Sequence, residues 1–370
     1  MKTRLFIMAA AAAMLLAACE KDHDGVFQGA AGGGSGKQVV KITFIDYKKS
    51  YSDYRLQYTY GYAYGSKLSW SGNNPSRIEA FGYENGAEVP EEKETENVSY
   101  VYDGGTLKEI KVSDNNGEYT ITDHLTYSNG QVTEIYTTYE EDGNYDGWRR
   151  QTLTYTNGKI GEITILYSDG DIARTVLTWN GDNVVRTERY RSDGSLDYTY
   201  DYTYDNKNNP MKLDLAVALI FGDYGGSLSA NNVIMETRTS SSGSTYTYSY
   251  VYTYDGDYPV KCVRTERDNN TGSYYSQGSE TTYYEYADGT GRGQVPQIYT
   301  IYVQSNVADW GNVSSRGFCE YAAGSTAVIQ ASPLYGYEFR QWSDGNTDNP
   351  RAITVNANAT YTAIFGSSSK

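Results

Sequence analysis

The chain has 370 residues, and its 31 Lys and Arg against 46 Asp and Glu give a formal net charge of −15. A chain this acidic is repelled by nucleic acid and by anionic lipid head groups, so we expect no nucleic-acid partner. Tyr (40) and Gly (38) are abundant whereas Pro (7) is scarce, a composition that favours strands and tight turns over helices.

Residues 1–18 are typical of a secretory signal peptide. Lys2 and Arg4 form a positive n-region, and the apolar run from Leu5 to Ala18 is shorter than the roughly 20 residues that a transmembrane helix needs. The run ends in "LAAC", which resembles a bacterial lipobox. The resemblance implies cleavage before Cys19 and lipidation of Cys19. An ordinary secretory signal with a chance cysteine is the alternative.

Residues 19–37 are predicted to be a lipidated, flexible tether, because an acidic and then Gly/Ala-rich segment cannot bury enough apolar surface to fold. The "EKDHD" that follows Cys19 resembles the export signal of Bacteroidetes-type surface lipoproteins. This resemblance implies a lipid-anchored outer-membrane protein on the cell surface, with the periplasmic face of that membrane as the alternative. Loss of Lys2 and Arg4 would leave 29 basic and 46 acidic residues, a net charge near −17.

The phrase "LTYTNGKIGEITILYSDG" at 153–170 recurs in variant form along residues 38–290 and indicates a repeat architecture. Apolar residues alternate with Thr in "LTYTNG", a period typical of a half-buried strand, and Asn157-Gly158 is a strong hairpin signal. A break in this alternation between Ile160 and Ile163 predicts a β-bulge just after the turn. The aromatic residues that mark the units are Trp70, Tyr102, Tyr127, Tyr155, Trp179, Tyr204, Tyr254 and Tyr286.

These units predict a mostly β domain that is a long antiparallel meander of repeated hairpins with about fifteen strands. Because so long a sheet does not stay flat, we expect it to be curled or barrel-like. One unit is replaced by "NPMKLDLAVALIFG", in which Asn209, Pro210 and Gly222 fit an N-cap, a first helical position and a stop. We predict an inserted helix at about 210–221 that covers or plugs the apolar face of the sheet. A buried strand is the alternative.

Two families resemble parts of the chain. The "YTYDNKNNP" turn, the insertion and "LSANNV" resemble Bacteroidetes lipoproteins that carry a domain of unknown function with a porin-like β fold, and the hairpins also resemble the YD repeats of Rhs-type shell proteins. Neither resemblance implies an activity. After a predicted linker at 291–296, residues 297–366 resemble the internalin-type bacterial B-repeat through "GYEFRQWSDG", "NPR" and "TYTAIF". That resemblance implies a small β-rich spacer or adhesive module. Phe339 and Trp342 lie three residues apart beside a turn, so we expect both in the core of the module.

The sequence offers few groups for catalysis, and we predict no enzyme, no cofactor and no metal. It has two histidines, His23 and His124, no serine in a GxSxG elbow and no Cys/His cluster with zinc spacing. A glycosidase that uses two carboxylates remains an alternative, because that chemistry needs no histidine. Cys262 and Cys319 fall in different predicted domains, so we expect two separate buried residues rather than a disulfide.

Aromatic residues in predicted loops are the best functional lead. "GNYDGWRR" places Tyr145 and Trp148 beside Arg149, and "GSYYSQ" places Tyr274 and Tyr275 in another turn. Their faces can stack on a sugar ring, although packing against neighbouring loops is the alternative. We predict a non-enzymatic surface lipoprotein that is anchored to the membrane by lipid and binds an extracellular polymer, a glycan or a surface protein, or acts in adhesion. A cell-envelope scaffold with a protein partner is the alternative.

Overall fold

The computed structural model describes residues 37–52, 55–71, 74–90, 95–212, 224–269, 279–314 and 317–368. Within these ranges the chain is almost entirely β, with a 3₁₀ turn at Ala308–Trp310 and no α-helix. None of the described segments is a helix long and apolar enough to cross a membrane. Cys19 and the predicted signal and tether up to residue 36 lie outside the described residues.

Seventeen strands form the first and larger sheet. They are β1 Val39–Ser52, β2 Arg55–Ser71, β3 Asn74–Glu84, β4 Ala87–Pro90, β5 Glu96–Asp103, β6 Thr106–Asp114, β7 Tyr119–Ser128, β8 Gln131–Glu141, β9 Asn144–Thr156, β10 Lys159–Tyr167, β11 Ile172–Asn180, β12 Asn183–Tyr190, β13 Leu196–Asn208, β14 Asn231–Ser240, β15 Thr245–Asp255, β16 Tyr258–Asp268 and β17 Ser279–Tyr286.

The sheet closes on itself. Apart from the short strand β4, which pairs with the end of β3, each strand pairs antiparallel with its neighbours in chain order, and β1 pairs with both β2 and β17. Sixteen strands therefore make a closed, barrel-like ring. The predicted antiparallel meander is confirmed. The sheet was predicted to be curled or barrel-like, and it closes completely.

Side chains alternate between a packed interior and a polar outer wall. On β9, Leu153 is buried whereas its neighbours Thr152 and Thr154 are exposed, and the same alternation places Ile135 and Ile163 among fully buried residues. Antiparallel strands with one packed and one solvated face show this pattern. The ring interior is therefore filled by side chains, as a hydrophobic core.

The predicted bulge follows the turn in the repeated hairpins. In the β9–β10 hairpin the register shifts between Ile160 and Glu162, so that one extra residue is accommodated. Corresponding shifts occur in the hairpins β2–β3, β5–β6, β7–β8, β11–β12 and β15–β16. A bulge bends its strand and increases the local twist, which helps the sheet to close.

A hydrogen bond from an aromatic side chain explains why the phrase recurs. The Tyr155 hydroxyl donates to the Val132 carbonyl at 2.8 Å, and the Trp179 indole N–H donates to the Ile160 carbonyl at 2.7 Å. In each case the acceptor lies at the start of the previous hairpin's return strand. The other bonds of this kind join Trp70 to Val39, Tyr100 to Pro75, Tyr204 to Val184, Tyr252 to Val233 and Tyr286 to Pro259. These seven bonds tie most of the units to the strand pair before them.

The segment that replaces one unit enters the ring. Residues 213–221 of the predicted helix lie outside the described residues, and residues 210–212 form a turn. Beyond them, Leu228 packs into the apolar interior and Ser229 is fully buried. Asn209 anchors the segment, because its amide donates to the carbonyls of Gly226 at 2.6 Å and Ser229 at 3.0 Å.

Eight short strands follow and form the C-terminal module: β18 Ile298–Ser305, β19 Gly311–Val313, β20 Gly317–Ala322, β21 Thr326–Ile329, β22 Ala331–Pro333, β23 Tyr337–Trp342, β24 Arg351–Thr354 and β25 Ala359–Ser367. They make a four-stranded sheet in the order β20-β18-β25-β23 and the pairs β19–β22 and β21–β24. Trp342 is fully buried with the Phe339 ring centroid 5.2 Å away, so both belong to the module's core as expected. Cys262 and Cys319 are both buried and are not joined in a disulfide.

The module packs against an edge of the ring wall. Strand β2 pairs with β3 only from Tyr64 onward, so its first half pairs with β1 alone. The module covers that edge: the Val328 amide donates to the Thr59 hydroxyl at 2.7 Å, and the Tyr321 hydroxyl donates to the Thr59 carbonyl at 2.9 Å. Gly61 allows the close approach, since a Cβ there would overlap the Glu320 carbonyl oxygen. Covering an unpaired edge prevents pairing with other chains.

Candidate functional site

An aromatic cluster lies on the outer wall at strands β8 and β9. Thr138 pairs with Trp148 and Tyr136 pairs with Arg150, so the side chains of all four share the outward face. The rings of Tyr136 and Trp148 are 5.9 Å apart with planes inclined by 31°. The Arg150 guanidinium lies 5.7 Å from the Tyr136 ring centroid and 5.9 Å from that of Trp148. We call Tyr136, Tyr145, Trp148 and Arg150 the outer cluster.

Tyr145 extends the outer cluster toward the Asp142-Gly143 turn. It pairs with Glu140 and is 61% exposed, which makes it one of the most exposed aromatic side chains on the outer wall of the closed sheet. Partial desolvation and the neighbouring Tyr136 hydroxyl raise the pKa of Tyr145. The sequence placed Tyr145 and Trp148 in a long turn, whereas strand β9 already begins at Asn144 and holds both in a sheet. A strand fixes the two rings more firmly than a loop would.

Arg149 lies on the opposite face from the outer cluster. Its Nε donates to the Thr137 hydroxyl at 3.2 Å inside the ring, and that hydroxyl donates to the Asp123 carboxylate at 2.5 Å. Alternation along β9 explains the placement, because consecutive residues face opposite sides of a strand. The guanidinium beside Trp148 is therefore that of Arg150. Tyr274 and Tyr275 lie outside the described residues.

The outward face continues across the neighbouring strands as a mixed apolar and aromatic row. Leu166 pairs with Arg150 and with Ile172, which is 44% exposed. On the next strand pair, the Arg174 guanidinium lies 4.1 Å from the Tyr190 ring centroid. The row therefore contains two places where an arginine guanidinium lies over an aromatic ring, with aliphatic side chains between them.

The arginines of this row are neutralised by acidic neighbours. Arg150 lies 3.6 Å from the Glu134 carboxylate, and Arg174 lies 2.9 Å from that of Glu162. Exposed pairs of this kind contribute little to stability. They do keep hydrogen-bond donors and acceptors on one surface without a strong local charge.

A second set of polar residues lies inside the ring and was missed by sequence reasoning. Burial raises the pKa of Asp123 and of Glu236, and the nearby Arg149 and Arg264 respectively offset that effect. The Tyr250 hydroxyl lies 3.4 Å from the Glu236 carboxylate. Their signal was present in the sequence as charged residues at inward positions, such as Asp123 two places before Leu125. A buried charge needs such partners to be tolerated.

These interior carboxyl groups do not form an accessible catalytic pair. Asp123, Glu236 and Asp46 are at most 6% exposed within a packed interior, so a polysaccharide does not reach them. Glycoside hydrolysis requires two carboxyl groups that flank a bound sugar chain. In the described residues no group of three or more His, Cys, Asp and Glu is placed to hold a metal ion. His124 faces outward, 3.2 Å from the Glu109 carboxylate.

Comparison with known proteins gives a family-model match to part of the C-terminal module and a low-scoring similarity to solved structures. Residues 302–369 match the family model described as "Divergent InlB B-repeat domain". No curated protein matches the chain. A porin-like protein from Bacteroides uniformis superposes with a TM-score of 0.42 at 15% identity over 67% of this chain and 97% of its own. A porin-like protein from Bacteroides vulgatus gives 0.38 at 15% identity, over 68% and 99%.

Proposed function

We propose that this chain is a non-enzymatic, lipid-anchored protein of the cell surface that binds an extracellular glycan on the outer wall of its ring. The observation that carries the proposal is the outer cluster, in which Tyr136, Tyr145 and Trp148 present ring surface to solvent beside Arg150. Aromatic faces stack on the apolar faces of sugar rings, while neighbouring polar groups bond the hydroxyls. The predicted lipid at Cys19 and the B-repeat module support a surface location.

The nature of the ligand follows from charge. The whole chain carries a net charge of −15, and the arginines of the outer row are paired with glutamates. An acidic polysaccharide would be repelled over long range, whereas a neutral one would not. We therefore assign a neutral polysaccharide to the outer cluster, lying along the row from Trp148 toward Tyr190.

The test is binding to a panel of neutral and acidic polysaccharides by affinity electrophoresis or a glycan array. Trp148→Ala should weaken binding at least tenfold, since truncation of a Trp that acts as a binding hot spot costs about 2 kcal/mol or more. Tyr102→Ala is the matched control, because Tyr102 is 52% exposed but lies outside the outer row. Equal binding by the Trp148→Ala variant, or no binding to any polysaccharide by the wild-type chain, would overturn the proposal.

A structural role in the cell envelope is the second candidate, and the docked module favours it. The module is joined to the ring by hydrogen bonds at Thr59, at Gln57 and at Asn85 rather than by the connecting segment alone. A fixed two-part body is suited to holding a partner protein at a defined position. Recovery of a stoichiometric envelope protein with the purified chain, unaffected by Trp148→Ala, would favour this role over glycan binding.

A further inference from the structure

The carboxyl group of Glu320 is sealed in the contact between the module and the ring. Glu320 lies on β20, pairs with Thr300 on β18, and is only 3% exposed. Its own backbone faces Gly61 on the edge of β2 that the module covers, and its carboxylate accepts a hydrogen bond from the Ala63 backbone N–H. The oxygen Oε1 has no hydrogen-bond partner. An acid is thus buried at the point where the two parts meet.

None of the described groups that face Glu320 supplies a compensating positive charge. Tyr62 on strand β2 interacts with Glu320, and Asp46 on the paired strand β1 interacts with the same Tyr62 hydroxyl. Cys319 and Tyr321 flank Glu320 on β20 but point into the core of the module. The burial of the Glu320 carboxyl is offset by hydrogen bonds from backbone N–H groups and by no described Lys, Arg or His, whereas Arg264 partly offsets the burial of Asp46. The described groups that act on Glu320 are therefore neutral or negative. A carboxylate buried among such groups favours its protonated form.

We propose that docking of the C-terminal module on the β2 edge is linked to protonation of Glu320, so that acid strengthens the contact and alkali loosens it. The neutral carboxyl can be buried against Ala63 at little cost, whereas the carboxylate loses its hydration with one oxygen unpaired. Release of the module would uncover the backbone groups of the first half of β2. That unpaired edge could then accept a strand from another chain.

The pH window follows from the sign of the linkage. Burial raises the pKa of Glu320 from 4.5 to about 7 in the docked chain. Docking is then strongest below about pH 4.5, weakens as the pH rises from there to about 7, and stays constant above it. With those two pKa values the docking equilibrium falls on the order of 70-fold between pH 5 and pH 8. Desolvation that persists in the released module would reduce this factor.

Hydrogen exchange of a single amide reports the contact. The Val328 N–H donates to the Thr59 hydroxyl across the interface, whereas the Val355 N–H donates to the Ser325 carbonyl within the module. In the full chain, the protection factor of Val328, corrected for the intrinsic effect of pH, should fall at least tenfold from pH 5 to pH 8. The protection factor of Val355 should not change.

Glu320→Gln keeps an acceptor for the Ala63 amide but removes the charge, and it should hold Val328 at its acid-state protection at both pH values. Glu338→Gln is the matched control, since Glu338 is an exposed acid of the same module paired with Arg340. Wild-type protection that is equal at pH 5 and pH 8, or an equal loss in Glu320→Gln, would overturn the proposal. The wild-type series decides the question even if the Glu320→Gln variant folds poorly.

Discussion

Ile163 tests the orientation of the ring wall. It lies on β10 between Leu153 on β9 and Thr175 on β11, and its side chain is fully buried in the interior. Replacing Ile163 by Ala removes three carbon groups, worth about 2.4 kcal/mol at roughly 0.8 kcal/mol each. The cavity left behind adds about 1 kcal/mol more, for a total loss of about 3–4 kcal/mol in the free energy of unfolding.

The assay is urea unfolding followed by circular dichroism, with Thr164→Ala as the matched control. Thr164 is the next residue on the same strand but faces outward, and its replacement should change the free energy of unfolding by no more than about 0.5 kcal/mol. A slip of one residue in strand register exchanges the two faces of a strand. A larger loss for Thr164→Ala than for Ile163→Ala would therefore refute the assignment of interior and outer wall.

Three further predictions address the interface, the interior and the inserted segment. Gly61→Ala should lower Val328 amide protection at every pH while the ring stays folded, because the new Cβ overlaps the Glu320 carbonyl; unchanged protection would contradict the tight contact. Burial, with Glu280 adding to it, raises the pKa of Asp46 to about 7, so Asp46→Asn should stabilise the chain by roughly 2–4 kcal/mol at pH 8 and by little at pH 4 in urea unfolding. Asn209→Ala removes the two hydrogen bonds that the Asn209 side-chain amide donates to the inserted segment, and it should lower the free energy of unfolding by about 1–3 kcal/mol. An unchanged free energy of unfolding would mean that the segment is held by other contacts.

The hairpins could be predicted from sequence because their determinants are local. Asn157 and Gly158 both adopt positive φ, as the tight turn requires, and the bulge follows within three residues. The tie between hairpins was less visible. Tyr155 and Trp179 were correctly marked as repeat positions, but in two units the donating ring is Tyr100 or Tyr252, two residues before the marked one.

Closure of the ring could not be derived from the repeat. Strand β1 matches none of the repeated phrases, and its pairing with β17 joins residues some 240 positions apart, such as Phe44 and Thr282. Long-range pairing of this kind depends on the summed twist and bulges of all the intervening strands. The candidate site shows the same division. The chemistry of Trp148 and Tyr145 was enough to identify them from the sequence. The arginine beside Trp148 is Arg150 rather than the predicted Arg149, because the face that each residue takes depends on where β9 begins.

The closure of β1 against β17 is the claim on which the interior, the outer wall and the docked module all depend. Lys41 pairs with Glu285 on β17 and with Lys67 on β2, so one position reports on both sides of β1. Paired residues of antiparallel strands have Cα atoms about 4.5–5.5 Å apart, within the range of a disulfide. Mild oxidation should cross-link Lys41→Cys to Glu285→Cys as readily as Lys41→Cys to Lys67→Cys, as measured by peptide mapping. A disulfide in the second pair alone would show an open sheet and contradict the closed ring.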